Sequence, residues 1–118
     1  MSNKRIFLQV EYELFKLIGK YKKDGKDISI DHLDCLIIAR VNDFQKNNMP
    51  CYLTNEQLAN IFNTSTRTIV RRIHNLCEIG ILESDVTLRS DAGQASRVRN
   101  LRVNYPQIGL CRTTFNLN

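Results

Sequence analysis

The stretch Leu58-Ala59-Asn60-Ile61-Phe62-Asn63-Thr64-Ser65-Thr66-Arg67-Thr68-Ile69-Val70-Arg71-Arg72-Ile73-His74-Asn75-Leu76, closed by Gly80-Ile81-Leu82, decides how this chain folds. Thr54 stands three residues before Gln57, the spacing of a capping box, and Leu58, Ala59, Ile61 and Phe62 supply a buried stripe. A short helix is predicted over Asn55 to Phe62. Asn63 follows, one of the few residues that tolerates the left-handed backbone of a tight interhelical turn. Thr64 and Ser65 then offer hydroxyls to cap a further helix from Thr66 to Ile79, with Gly80 as its stop.

Working upstream, Leu33, Leu36, Ile37, Arg40, Val41 and Phe44 repeat at helical spacing, with only Arg40 breaking the apolar stripe. A long amphipathic helix is predicted there. Ser29 is its expected N-cap, Asp31 and Asp34 suit the positive end of its dipole, and Asn47-Asn48-Met49-Pro50 ends it. Residues 6 to 18 read as a short strand, Ile6 to Val10, and a short helix ending at Gly19. Lys20 to Asp27 reads as a polar connection punctuated by Asp24-Gly25. Its lysines have two readings, solvated surface or auxiliary phosphate contact, and the first is the ordinary one.

Downstream of Gly80 the period changes. Ile81 to Arg89 and Arg97 to Asn104 are β-like, and Ser90 to Ser96 between them is a small-residue loop, so a hairpin is expected. Tyr105 to Asn118 shows no convincing period. The expected divisions are an amino-terminal segment, 1–28, packed on a main domain, 29–104, followed by a tail or linker, 105–118.

Composition agrees with one domain. Of 118 residues, 42% are apolar and 25% charged, enough to bury roughly two-thirds of the unfolded surface without staples. The longest apolar run, Cys35 to Ala39, is far too short to span a membrane, and the amino terminus lacks the pattern of a secretory signal. A cytoplasmic protein with reduced cysteines is expected. Cys35, Cys51, Cys77 and Cys111 are too widely spaced for a zinc knuckle, and Cys77 reads as a small core residue. No metal and no cofactor is expected. His32 and His74, the only histidines, belong to no nucleophile or carboxylate motif, and the scattered glycines form no phosphate-cradling loop, so the chain is not expected to be an enzyme.

The formal charge of +5 is modest, but its placement is informative. Every lysine lies at or before Lys46, whereas Arg67, Arg71, Arg72, Arg89, Arg97, Arg99 and Arg102 cluster in the second half. Arginine's planar donor fork suits phosphates and guanine edges. On the helix beginning at Thr66, Ile73 and Leu76 fall within about 40° of Ile69, whereas Arg67, Arg71 and His74 fall about 140–200° away, with Val70 on the flank.

Helix, short helix, tight turn, helix and arginine-bearing hairpin is the order of a winged helix-turn-helix, mainly α with a small β wing. The expected partner is double-stranded DNA. Ser65, Thr66, Arg67, Val70, Arg71 and His74 are the expected base-reading set. Arg89, Arg97, Arg99 and Arg102 are placed to hold the backbone, or else form the wet side of a ribbon. Arg72, nearer the buried face, either touches a phosphate or pairs with an acid.

Leu58 to Leu76 with Gly80-Ile81-Leu82 resembles the winged-helix module of phage and plasmid replication proteins. It is similar to the amino-terminal domain of plasmid replication initiator A proteins and to phage replisome organisers. Over about residues 6 to 104 that resemblance implies a role in replication initiation, with replication proteins as further partners. Asn63 stands where the family often has glycine. Two other readings remain open: a transcriptional repressor, and a protein-binding adaptor or inhibitor that would use Leu8, Val10, Phe15 and Ile18. Monomer and homodimer are both compatible with the pattern.

Overall fold

A computed structural model of the chain describes residues 10, 12–91 and 93–109. At its centre lies a fifteen-residue helix, α1 (His32–Lys46), packed against a 3-10 helix (Tyr12–Leu17), a strand from each of two hairpins and the longer of two further helices. Its cap is Asp31, not Ser29. The Asp31 carboxylate accepts from the Leu33 and Asp34 amides, while Asp34 returns the bond to the Asp31 amide at 2.9 Å. Ser29 is unavailable because it is paired inside a strand.

That strand belongs to a hairpin where a connection was expected. Strands β1 (Gly19–Lys23) and β2 (Lys26–Ile30) pair antiparallel, with Lys23 opposite Lys26. Asp24 and Gly25 form the two-residue turn, with φ of 52° and 79°. Positive φ at both positions is the turn whose twist matches paired strands, which is why Asp-Gly is favoured there. Ile28 and Ile30 are buried, and Tyr21 donates its hydroxyl to Leu17 O at 2.6 Å. The expected strand at Ile6 to Val10 lies outside the described residues except for Val10. Val10, Phe15 and Ile18 pack half-buried against the core.

The buried face of α1 is turned from the expected stripe. Ile37 and Val41 are buried as expected, but so are Asp34, Cys35, Ile38, Ala39 and Asn42, while Leu33, Leu36 and Phe44 are only partly covered. A central helix covered on several sides need not keep one apolar stripe. The Asn42 side chain is satisfied by the Tyr105 hydroxyl. The Cys35 thiol donates to Leu14 O at 3.2 Å, and burial together with the Asp34 and Asp31 charges pushes it up to about 12.

Helices α2 (Asn55–Ile61) and α3 (Thr66–Glu78) follow almost at the expected positions, but of the expected α2 stripe only Leu58 and Ala59 are buried, with Phe62 half-buried and Ile61 exposed. The Thr54–Gln57 capping box is present, Asn63 adopts φ 52° in the turn, and Ser65 caps α3. At the other end of α3 the Ile81 amide reaches Leu76 O and the Gly80 amide reaches Cys77 O, both at 3.0 Å, with Gly80 at φ 80°. These are the two bonds of a Schellman stop.

Strands β3 (Leu82–Asp91) and β4 (Gln94–Val103) form the second hairpin. The expected seven-residue loop is shorter, because pairing continues out to Asp91 opposite Gln94. Among the described residues of this wing, those buried lie at its root, Leu82, Leu101 and Val103; farther out Val86 and Leu88 are 66% and 75% exposed. Cys51 bridges to Leu101, and the Leu101 amide donates to Cys51 O at 3.0 Å, fixing the root to the segment before α2. Residues 105–109, expected as tail, are helical and dock back: Ile108 is buried, and Gln107 donates to Ile79 O at 2.7 Å. None of the described helices is long and apolar enough to cross a membrane.

Gly80 is the position where this architecture needs glycine. A Cβ there meets Gln107 Cγ at 3.3 Å on a backbone that side chains rarely adopt. Gly80→Ala is expected to lower unfolding stability by about 1–2 kcal/mol, and Gly80→Asn by less, in urea titrations. Equal stability of the alanine variant and the parent would contradict the role given to this stop.

Candidate nucleic-acid interface

The surface of α3 divides cleanly. Ile69, Ile73 and Leu76 are buried, whereas Arg67, Val70, Arg71 and His74 are exposed at i, i+3, i+4 and i+7. Among the described residues, no carboxylate lies within ion-pair distance of Arg67 or Arg71. His74 Nε2 stands 3.5 Å from Glu78 Oε1 one turn on. Val70, 48% exposed, puts an apolar surface between the arginines. Thr66 is half-buried. Ser65 is occupied by capping: its Oγ accepts the Thr68 amide at 3.1 Å and donates to Thr68 Oγ1 at 2.8 Å.

Arg72 takes the second of its two readings. Nη1 donates to Asp31 Oδ1 at 2.6 Å and to Asp34 Oδ2 at 2.9 Å, joining the middle of α3 to the start of α1. The two carboxylates differ in setting. Asp34 is almost wholly buried, and that burial pushes its carboxyl up against the opposing pull of the Asp31 amide and Arg72. Asp31 is half-exposed; partial burial acts upward on it but is outweighed by the hydrogen bond and charge of Arg72, so it is held below its ordinary range.

The wing arginines do not act together. Arg99 turns inward: Nη1 donates to Asn55 Oδ1 at 2.6 Å and Nη2 to Leu53 O at 2.7 Å, tying β4 to the entry of α2. Arg102 pairs with Asp85 on the opposite strand. Arg97 is exposed beside an open cleft of about 260 Å³ between the wing and the α2 entry, lined also by Tyr52, Thr54 and Glu56. The side chain of Arg89 lies outside the described residues. The sequence shows the arginines but not the Asn55 and Leu53 partners of Arg99, because nothing local marks a pair that far apart in the chain.

The Arg72 cluster makes a pH-dependent expectation. The depressed Asp31 contributes stability that is present above its unfolded value and lost as pH falls through its folded value. The raised Asp34 works the other way, favouring the fold at low pH and less so as pH rises through its folded value. Arg72→Ala removes the cation from both and leaves the buried Asp34 carboxyl without its charge partner. We expect a loss of about 3 kcal/mol near neutral pH, the low end for a broken buried pair because Asp31 is half in solvent. The loss should narrow as pH falls through the carboxylate range, where Asp34 can protonate. Urea unfolding across that range checks this, and a loss independent of pH would contradict it.

Comparison with known proteins adds a family-level match. Residues 30–82 match the model of a helix-turn-helix domain, a span running from the last residue of β2 through α1, α2 and α3 to the first residue of β3. No curated protein and no solved structure gives a significant match to the chain. The capped turn, the outward basic face of α3 and the hairpin that follows agree with that match: the chain carries a helix-turn-helix domain with a two-stranded wing.

Proposed function

We propose that the chain binds double-stranded DNA sequence-specifically, with α3 in the major groove and no catalytic step. One observation carries the reading: Arg67, Val70, Arg71 and His74 form a continuous outward stripe, and among the described residues Arg67 and Arg71 have no carboxylate of the protein to neutralise them. Arginine on a helix face can take guanine O6 and N7 together, and Val70 offers a surface to a thymine methyl. On the wing, Arg97 is the described arginine placed for a phosphate. The resemblance of Leu58 to Leu82 to phage and plasmid replication modules supports replication initiation as the biological setting. Transcriptional control is the alternative, and the shape of the binding site separates them: direct repeats suit an initiator, an inverted repeat a dimeric repressor.

Selection of bound fragments from a random duplex pool yields both the motif and its symmetry. On the recovered site Arg71→Ala is expected to lose about 1–3 kcal/mol and relax the preference at one base, while Arg97→Ala weakens cognate and scrambled duplexes alike. Equal losses on both duplexes for both variants would overturn the division of roles. Failure to enrich any fragment would reject sequence-specific binding.

A further inference from the structure

We infer that the amino-terminal β1–β2 hairpin is a second DNA-binding arm, its lysines Lys20, Lys22, Lys23 and Lys26 contacting phosphates of the duplex whose bases α3 reads. The inference rests on the DNA-binding reading and extends it to a surface on which that reading places nothing.

The first argument is where the free cations are. Arg72 is held by Asp31 and Asp34, Arg99 by Asn55 and Leu53, and Arg102 by Asp85. Arg72 and Arg99 therefore serve the fold, while Arg102 is engaged at the surface by an acid on the opposite strand. Lys20, Lys22, Lys23 and Lys26 are all exposed, and among the described residues none has an ion-pair partner. Lys22 lies opposite Asp27 in the register without closing a salt bridge to it.

The second argument is a local conflict. Lys23 and Lys26 are direct cross-strand partners on either side of the Asp24-Gly25 turn. Like charges in that relation oppose strand pairing. A polyanion lying across the tip reverses the sign of this repulsion, and a break in local consistency of this kind marks functional surfaces.

The third argument is placement. β2 runs directly into Asp31, and Asp31 is held at 2.6 Å by Arg72, the neighbour in sequence of Arg71 on the α3 stripe. The hairpin therefore roots beside the middle of α3, whereas the wing leaves from its carboxy-terminal end. Five-residue strands extend about 17 Å from that root, a reach longer than the roughly 12 Å width of a major groove. Buried Ile28 and Ile30 and the Tyr21 bond to Leu17 O hold the arm to the core, so its lysines are presented on a fixed ribbon, Lys20 and Lys22 on its outer face and Lys23 and Lys26 at its tip on the face shared with Tyr21, Ile28 and Ile30.

The test uses the full chain and a labelled mixed-sequence duplex. Binding is titrated over a series of salt concentrations for the parent, for Lys20→Gln/Lys22→Gln/Lys23→Gln/Lys26→Gln together, and for Arg67→Ala/Arg71→Ala. Every phosphate that the variant no longer neutralises lowers the slope of log affinity against log salt by about 0.9, so a fall of about 2–4 and at least about tenfold weaker binding near physiological salt are expected of the lysine variant. In the parent, duplex should also protect these four lysines from amine acetylation read by mass spectrometry, a measurement that does not depend on the variant folding. Unchanged slope and unprotected lysines, in a protein that still binds duplex and loses it in Arg67→Ala/Arg71→Ala, would overturn the arm and leave the α3 reading intact. Absence of duplex binding by the parent at low salt would overturn both.

Discussion

The guanidinium of Arg72 sits against two carboxylates at the amino-terminal end of α1, and the relation between the outward face of α3 and the rest of the molecule depends on that contact. Asp31 and Asp34 are also bonded to each other's amides as a capping box, so the arginine meets carboxylates that local hydrogen bonds hold in place. Asp34 alone would be an expensive group to bury, since an ionised carboxylate taken from water costs several kcal/mol. Arg72 makes the burial tolerable. The same contact agrees with the roll that buried Ile69, Ile73 and Leu76 give α3: with Arg72 turned to α1, Arg71 faces outward, one helical step of about 100° away.

The arginines thus divide by geometry more than by position in the chain. Arg72 and Arg99 bind the protein's own acceptors across helix–helix and strand–loop boundaries, each guanidinium donating to two oxygens at once, Arg72 through Nη1 alone and Arg99 through Nη1 and Nη2. Arg67 and Arg71 sit on the far side of a helix whose buried face is Ile69, Ile73 and Leu76, where the described residues supply no carboxylate. Residue type cannot separate the two groups. Surroundings can, and they also bring forward the lysines of the β1–β2 hairpin, whose ordinary reading in the sequence is solvated surface.

What was legible in the sequence was what is encoded locally. The Thr54–Gln57 box, the left-handed Asn63, the Ser65 cap and the Gly80 stop each involve residues within a few positions of one another, and all of them stand where the pattern put them. The outward set of α3 followed from its period alone. What was not legible depends on contacts distant in sequence. Asp31 displaced Ser29 as cap because Ser29 was needed in a strand. That strand was hidden because its outward neighbours are lysines and its partner, β1, has only Tyr21 as a large apolar residue. The turn residues Asp24 and Gly25 were visible, but the ribbon around them was not. The inward turn of Arg99 rests on Asn55 and Leu53, which no spacing rule connects to it.

The attachments of α3 bear on how well it could read a duplex. Its middle is held to α1 through Arg72, and its end is closed by the Schellman bonds and by Gln107 donating to Ile79 O. Its start is capped by Ser65. Residues that would meet bases therefore project from a helix already held at three points, and ordering them on DNA costs side-chain entropy but little backbone entropy. The wing has the opposite character: its root is tied through Cys51 and Arg99, while Val86 and Leu88 stand exposed on the outer ribbon. On the proposed DNA-binding reading, a rigid α3 beside a projecting ribbon would separate the two tasks physically, because fixed geometry is what discriminates bases, whereas phosphate contact tolerates adjustment.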